Sequence, residues 1–221
     1  MTIQTLIDKQ DSFEIVRDQI AGILALEVQS QMALATAASQ DPNDYKFRVF
    51  ADRSNPWEEY LNDEPDETPL VNVWYENSNF VPGASNISER QKSESIYNID
   101  CYGYGVASNV VEGGHLPGDL QASLAVHKIL RLIRNILMSA EYVYLDLRGL
   151  VWQRWIESVT VFQPTQDNRA VHNVIGSRIQ FKVCFNEFSP QYVAETLDFV
   201  SIDIKRAENG EIIVEADYDY T

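Results

Sequence analysis

The stretch IYNIDCYGYGVA (residues 96–107), followed by DLQASLAVHKILRLIRNILMSAE (119–141) and LVWQRWIESVTVFQP (150–164), decides the fold of this chain. A strand turns successive side chains to opposite faces, so Tyr97, Ile99, Cys101, Gly103 and Gly105 share one face. Two alternate glycines on that face remove side chains where another element must come close. In the second segment Leu120, Leu124, Ile129, Leu132, Ile133, Ile136 and Leu137 recur at helical spacing. That helix is the element expected to close on the glycines. The third segment is a further strand. The connection between the two strands is the one place in the chain long enough for parallel pairing.

Outward from this unit, a long helix is expected from about Asp11 to Ala38. Asp11 and Glu14 form a capping-box pair, Val16, Ile20, Ile23, Leu24 and Val28 give an apolar stripe, and Pro42 bars continuation. Alternation predicts strands at Tyr45–Arg53, Leu70–Tyr75 and Ile175–Phe185, the last with Ile175, Ile179, Phe181, Val183 and Phe185 on one face. Two more strands, Leu197–Lys205 and Glu211–Ala216, flank an Asn209-Gly210 hairpin signal, with a bulge expected between Phe199 and Val200. The sum is an α+β fold: a mainly antiparallel twisted sheet of six or seven strands with two long helices packed on one face. It reads as a single domain over residues 1–221, with long loops at 54–69 and 81–95 and extended terminal segments. One helical turn is expected in the first loop, at PWEEYL.

The charge balance narrows the function classes. Seventeen basic residues face 33 acidic ones, a formal net charge of −16. A protein that grips duplex DNA neutralises phosphates with Lys and Arg, and this chain has few to spare. No apolar run approaches the roughly 20 residues that span a bilayer, and the amino terminus has no basic, apolar signal pattern. No membrane partner is expected. Cys101 and Cys184 sit in separate strand-like runs without CxxC spacing and read as buried free thiols.

Catalytic and metal-binding patterns are missing from the sequence. His127 lies between apolar helix positions and reads as a partly buried structural histidine, His115 falls in a turn-rich lead-in, and His172 is isolated among polar residues. Gly113-Gly114 lacks the spacing of a phosphate loop. The carboxylates Glu58, Glu59, Asp63, Glu64, Asp66 and Glu67 lack the ligand order of a calcium loop and read as a solvated charge run. No catalytic residue, cofactor site or metal site is assigned, and the chain reads as a non-enzyme.

Aromatic and basic residues instead suggest contact surfaces. Arg53 lies near Trp57, and Arg154 near both Trp152 and Trp155; simple alternation puts Trp152 and Arg154 on one face and Trp155 on the other. Arg90 and Lys92 add a basic pair at the end of the second long loop. These seven residues are the subunit-interface candidates, with Trp152 to Trp155 the foremost.

Several blocks, taken in order, carry a resemblance: DSFEIVRDQIAGILALE, RSNPWEEYLN, PLVNVWYENSNF, ERQKSESIYNIDCYGYG, RNILMSAEYVYL, GLVWQRWIESVTVFQP, FNEFSP and EADYDYT. Together they resemble the tail terminator (tail completion) proteins of contractile-tailed bacteriophages. The resemblance implies a structural virion protein, a homohexameric ring on the tail tube that ends tail elongation and offers a docking surface to the neck. It implies contacts with tail tube, sheath and neck or connector proteins, and DNA that passes through the ring without specific binding. The location implied is the tail–neck junction of the virion, after assembly in the host bacterial cytoplasm. A neck or head-completion adaptor between portal and tail is the alternative, and a small enzyme with a dispersed site a more distant one.

Overall fold

The computed structural model describes residues 8, 10–62, 66–80, 90–111, 114–166, 169–170, 173–188, 199–205 and 212–219. Two compact units partition the chain: Asp8–Ser189, and Met1–Ile7 with Pro190–Thr221. Each is described by itself.

The larger unit begins with helix α1 (Ser12–Ala37). At its start the Asp11 backbone N–H donates to Glu14 Oε2 at 2.9 Å, which satisfies one of the donors a helix start exposes. After a 3-10 turn at Pro42–Tyr45 come strands β1 (Arg48–Ala51), β2 (Leu70–Phe80) and β3 (Arg90–Tyr104). A small ribbon of β4 (Ser108–Val111) and β5 (Gly114–Leu116) leads into helix α2 (Gly118–Leu137). Strand β6 (Val151–Phe162), the short pair β7 (Thr165–Gln166) and β8 (Arg169–Ala170), and β9 (Val174–Phe188) follow.

The sheet corrects the sequence reading in size and in kind. It has five strands in the order β1-β2-β3-β9-β6, and it is mixed. The parallel pair is β1 with β2; the other neighbours are antiparallel. Six or seven strands do not join one sheet, because β4–β5, β7–β8 and the carboxy-terminal pair each form separate two-stranded ribbons. Parallel pairing was expected between the strands flanking α2. Instead β9 lies between β3 and β6 and pairs with both, so those two run the same way without touching.

The connection from β1 to β2 supplies the crossover that a parallel pair needs. It contains a 3-10 turn at Pro56–Leu61, where PWEEYL was read as a helical turn. Asn72 anchors its start: Oδ1 accepts from the Arg53 backbone N–H at 3.1 Å, and Nδ2 donates to the Arg53 carbonyl at 2.8 Å. Residues 63–65 and 81–89 of the two expected loops lie outside the described residues. Positions 90–95, expected in the second loop, belong to β3.

Helix α1 packs with β1 and β2, and α2 with β3 and β9; both helices share the main core. The face they cover is the inner face of the sheet. Val71, Val73, Tyr97, Ile99, Cys101, Ile179, Phe181, Val183 and Phe185 line it, against Val16, Ile20 and Leu24 of α1 and Ile129 and Ile133 of α2. Helix α1 is long and apolar enough by composition to cross a membrane, although charged and polar residues interrupt its apolar positions. Its apolar stripe is committed to this core. On the outer face, Trp57 and Tyr60 of the 3-10 turn cover Leu70, Tyr102 and Val174, and the Tyr60 hydroxyl donates to the Tyr102 carbonyl at 3.1 Å.

The expected closure of α2 on the glycines is present. A Cβ at Gly103 would lie 2.7 Å from the Ala122 carbonyl oxygen and 2.9 Å from Val126 Cγ2. A Cβ at Gly105 would overlap the Gly118 carbonyl oxygen and lie 2.6 Å from the Ala122 nitrogen. This proximity explains a correction to the helix face. Gly118, Ala122 and Val126 are buried, whereas Leu120 and Leu124, expected in the stripe, are exposed. A helix axis this near the sheet leaves room only for small side chains.

In the smaller unit, β10 (Phe199–Lys205) and β11 (Ile212–Asp219) form an antiparallel ribbon. The Asn209-Gly210 turn lies outside the described residues. The register is continuous at Phe199 and Val200, where a bulge was expected; the shift falls between Ile204 and Lys205.

Candidate functional site

Strand β6 forms one edge of the sheet and bears the foremost interface candidates. Its register slips twice, between Val151 and Gln153 and between Ile156 and Ser158. Each slip is an extra residue that switches the alternation. Val151, Arg154, Ile156, Val159 and Val161 therefore stand opposite Phe185, Val183, Phe181, Ile179 and Ser177, on the inner face. Trp155 stands opposite Lys182 on the outer face, with Lys182 Nζ 5.5 Å from its ring centre. Lys182 also pairs with Glu157 at 3.0 Å. Trp152, the extra residue of the first bulge, is 44% exposed and lies 5.6 Å from Lys92 Nζ. Trp152 and Arg154 were expected to share a face; the bulge separates them.

The structure thus brings together Lys92 and Trp152, two candidates 60 positions apart, and adds the Trp155–Lys182 pair. Amine-over-ring contacts of this kind contribute about 0.5–1 kcal/mol each at exposed sites. Sequence reading missed Lys182 as a partner because the match depends on strand register.

Arg154 has a different role. Its Nε donates to the Tyr142 carbonyl at 2.6 Å and its Nη2 to the Ser139 carbonyl at 2.7 Å, both just beyond the end of α2. Burial pushes its pKa below the ordinary arginine value. The guanidinium ties the turn after α2 to β6, so it is committed within the subunit. Arg154→Met should lower the unfolding free energy by about 2 kcal/mol in urea denaturation, the scale of losing hydrogen bonds from a charged donor. An unchanged midpoint would show that these bonds carry no net stability.

The remaining candidates divide between core and surface. Trp57 is 6% exposed and belongs to the outer-face core. Arg53 pairs with Glu59 and lies 4.7 Å over the Phe50 ring. Glu59 also takes Arg48 at 2.8 Å, so this part of the expected solvated charge run is an ion-pair cluster. Arg90 opens β3 opposite Phe188, and its Nε is buried without a hydrogen-bond partner among the described residues.

Sequence reading also missed a cleft of about 530 Å³ on the outer face, lined by Arg53, Asn55, Trp74, Asp100, Phe162 and Arg178 among others. Asp100 is nearly fully buried there. Its Oδ1 accepts from Arg178 Nε at 2.7 Å, and its Oδ2 from Arg178 Nη2 at 2.9 Å and Trp74 Nε1 at 3.0 Å. The guanidinium lies 4.9 Å from the Trp74 ring centre and 5.7 Å from that of Phe162. Hydrogen bonding to Asp100 raises the Arg178 pKa above its ordinary value. Asp100 and Arg178 are direct cross-strand partners of β3 and β9. Their charges satisfy one another, which makes this pair a structural clamp.

The other reactive groups are dispersed. His115 and His127 are exposed, so His127 is not the partly buried histidine expected, and His172 lies outside the described residues. Among the described residues no three His, Cys, Asp or Glu side chains converge on a metal-sized site. Cys101 and Cys184 are free and buried. Burial pushes their thiols up to about 12 and about 11. Both should resist alkylation in the native state at pH 8 and react on unfolding; native modification would contradict their burial. Because both pKa values are raised, the cysteines leave stability unaffected below about pH 9, the unfolded thiol value. Stability should then fall as pH rises from there towards 11 and 12.

No family model matches this chain, and no curated protein sequence matches it.

Proposed function

We propose that this protein is a structural virion subunit that assembles as a ring on the phage tail tube, ends its elongation and presents a docking surface for the neck. The observation that carries the reading is the β6 edge: twelve residues long, with exposed Trp152, Val159 and Val161. An unpaired sheet edge with exposed apolar side chains can template pairing with another chain, and the stretch Ser158–Phe162 beyond the second bulge carries no charge or proline to blunt it. The ordered sequence blocks that resemble tail terminators supply the tail context. The net charge of −16 suits a ring through which DNA slides, since carboxylates repel phosphate.

The test is incubation of the purified protein with isolated tail tubes and, separately, with portal-bearing heads, each imaged by electron microscopy. Density capping the tube end, with tube growth halted, is the expected result. Binding to heads alone, with tube ends bare, would make the protein a neck adaptor. In solution the expected species are a monomer or a hexamer. A stable two-fold dimer as the sole species would contradict the ring.

A further inference from the structure

We propose that the outward face of α2 is a docking seam for an amphipathic helix of another protein, apolar towards its ends and acidic in its middle. This adds a second contact to the ring reading, and it rests on that reading only in placing the partner helix within the virion.

The seam is defined by spacing. Leu120, Leu124, His127, Arg131, Arg134 and Met138, the residue that caps α2, follow at intervals of 4, 3, 4, 3 and 4. A repeat averaging 3.5 keeps side chains in one line along a helix, the arrangement by which two helices pack side by side. All six are exposed, with Leu120 at 47%, Leu124 at 57% and Met138 at 43%. The positions that seat α2 on the sheet, among them Ala122, Val126, Ile129 and Ile133, lie on the opposite side. Helix α2 therefore has two faces fit for packing, and its own subunit uses one.

Apolar surface continues beside the seam. Met138 Sδ accepts from Arg154 Nη1 of β6 at 3.5 Å, so this flank of α2 looks towards that strand. There Val159 and Val161 stand on the inner face, both exposed.

Charge selects the occupant. In a chain of net charge −16, Arg17, Arg48, Arg53, Lys128, Arg178 and Lys182 each hold a carboxylate of their own subunit. Among the described residues the Arg131 and Arg134 side chains hold none. Two adjacent guanidiniums left uncompensated in so acidic a protein favour carboxylates brought from outside. The leucines at one end of the seam and Met138 at the other favour apolar groups on either side of them.

The described elements of this chain do not supply such a helix. Past Asp18 the exposed positions of α1 carry no carboxylate, and Glu27 receives the Tyr142 hydroxyl at 2.6 Å. A second copy thus offers either that uncharged face or another α2, whose arginines would repel these. Strands β10 and β11 are extended and lack the 3.5-residue period. The occupant is a helix of a different protein.

Two fluorescein-labelled, stapled helices as long as the seam serve as probes. Both carry leucine at the outer seam positions; one has glutamate and the other lysine at the central ones. Fluorescence anisotropy with the full chain should show saturable binding of the glutamate helix, weakened by salt, and at least about tenfold weaker binding of the lysine helix. Arg131→Glu and Leu124→Asp, made separately, should each weaken the glutamate helix at least about tenfold, the scale for a central interface residue. Their unfolding midpoints should stay near that of the parent, since both side chains are exposed. No saturable binding, equal binding of the two helices, or binding unchanged in both variants would overturn the proposal. In assembled tails, a photoreactive benzoylphenylalanine at His127 should cross-link to a tail or neck protein. Cross-links confined to one chain, or joining two copies, would likewise overturn it. A chain that takes the glutamate helix yet leaves tail tubes uncapped keeps the seam and ends the tail reading. Tube capping by a chain that takes neither helix does the reverse.

Discussion

Gly105→Ala is expected to lower the unfolding free energy by about 3 kcal/mol, the upper range for overpacking a tightly filled interior. The new Cβ would meet backbone atoms, the Gly118 carbonyl oxygen and the Ala122 nitrogen, which no rotamer change can move aside. The reciprocal position is equally closed, since a Cβ at Gly118 would lie 2.6 Å from the Gly105 carbonyl oxygen. Relief requires the amino-terminal half of α2 to lift from the sheet, with loss of the contacts around Ala122 and Val126. Gly22→Ala is the control. It lies inside α1 with nothing within 4 Å of its Cβ position, so alanine there should stabilise by up to about 1 kcal/mol. Urea denaturation of both variants measures the contrast. Equal stabilities would show that α2 is not seated on β3 as described.

Asp100→Ala should cost about 2–3 kcal/mol, the scale of losing charge-assisted hydrogen bonds, because Asp100 is buried while the Arg178 side chain is 36% exposed and water can reach it. The substitution strands the Arg178 guanidinium between two rings and removes the acceptor of the Trp74 indole. Asp100→Asn should cost less, because the amide oxygen can still accept one of these bonds. The indole reports the loss directly through tryptophan fluorescence. A double variant that replaces Asp100 and Arg178 together by apolar residues should recover part of the loss. If both single variants were neutral, the clamp would be dispensable and its cleft open to another use.

The helices and most strands were legible because their periods are strong: the stripe of α1 and the alternation of β9 needed only the chain itself. Gly103 in β3 and Gly105 just past its end announced a close approach, but the size rule they impose on α2 was missed. Helical spacing alone assigns Leu120 and Leu124 to the core, whereas only glycine, alanine and valine fit beside the glycine-bearing strand. Bulges defeated the reading of β6, since each extra residue inverts the alternation and leaves no mark in the composition. The Asp100–Arg178 clamp and the lysines over Trp152 and Trp155 depend on which strands become neighbours. That order is set by the whole fold, and no local pattern encodes it. Trp57 misled for the opposite reason. A large ring beside an arginine suits an interface and a core equally, and only the folding of the 3-10 turn back onto the sheet decides between them.

The place of β9 in the sheet has a consequence for the order of events during synthesis. It is the strand between β3 and β6, yet it is made after both, and its pairing with β3 joins residues about 70 to 98 positions apart. Until residue 188 has emerged, β3 and β6 each present an unpaired edge and α2 has only part of its seat. Such distant pairings slow folding and prolong the exposure of sticky edges. Nascent chains halted just before β9 should therefore be protease-sensitive throughout and engaged by chaperones, and protection should arrive in one step once that strand is free of the ribosome.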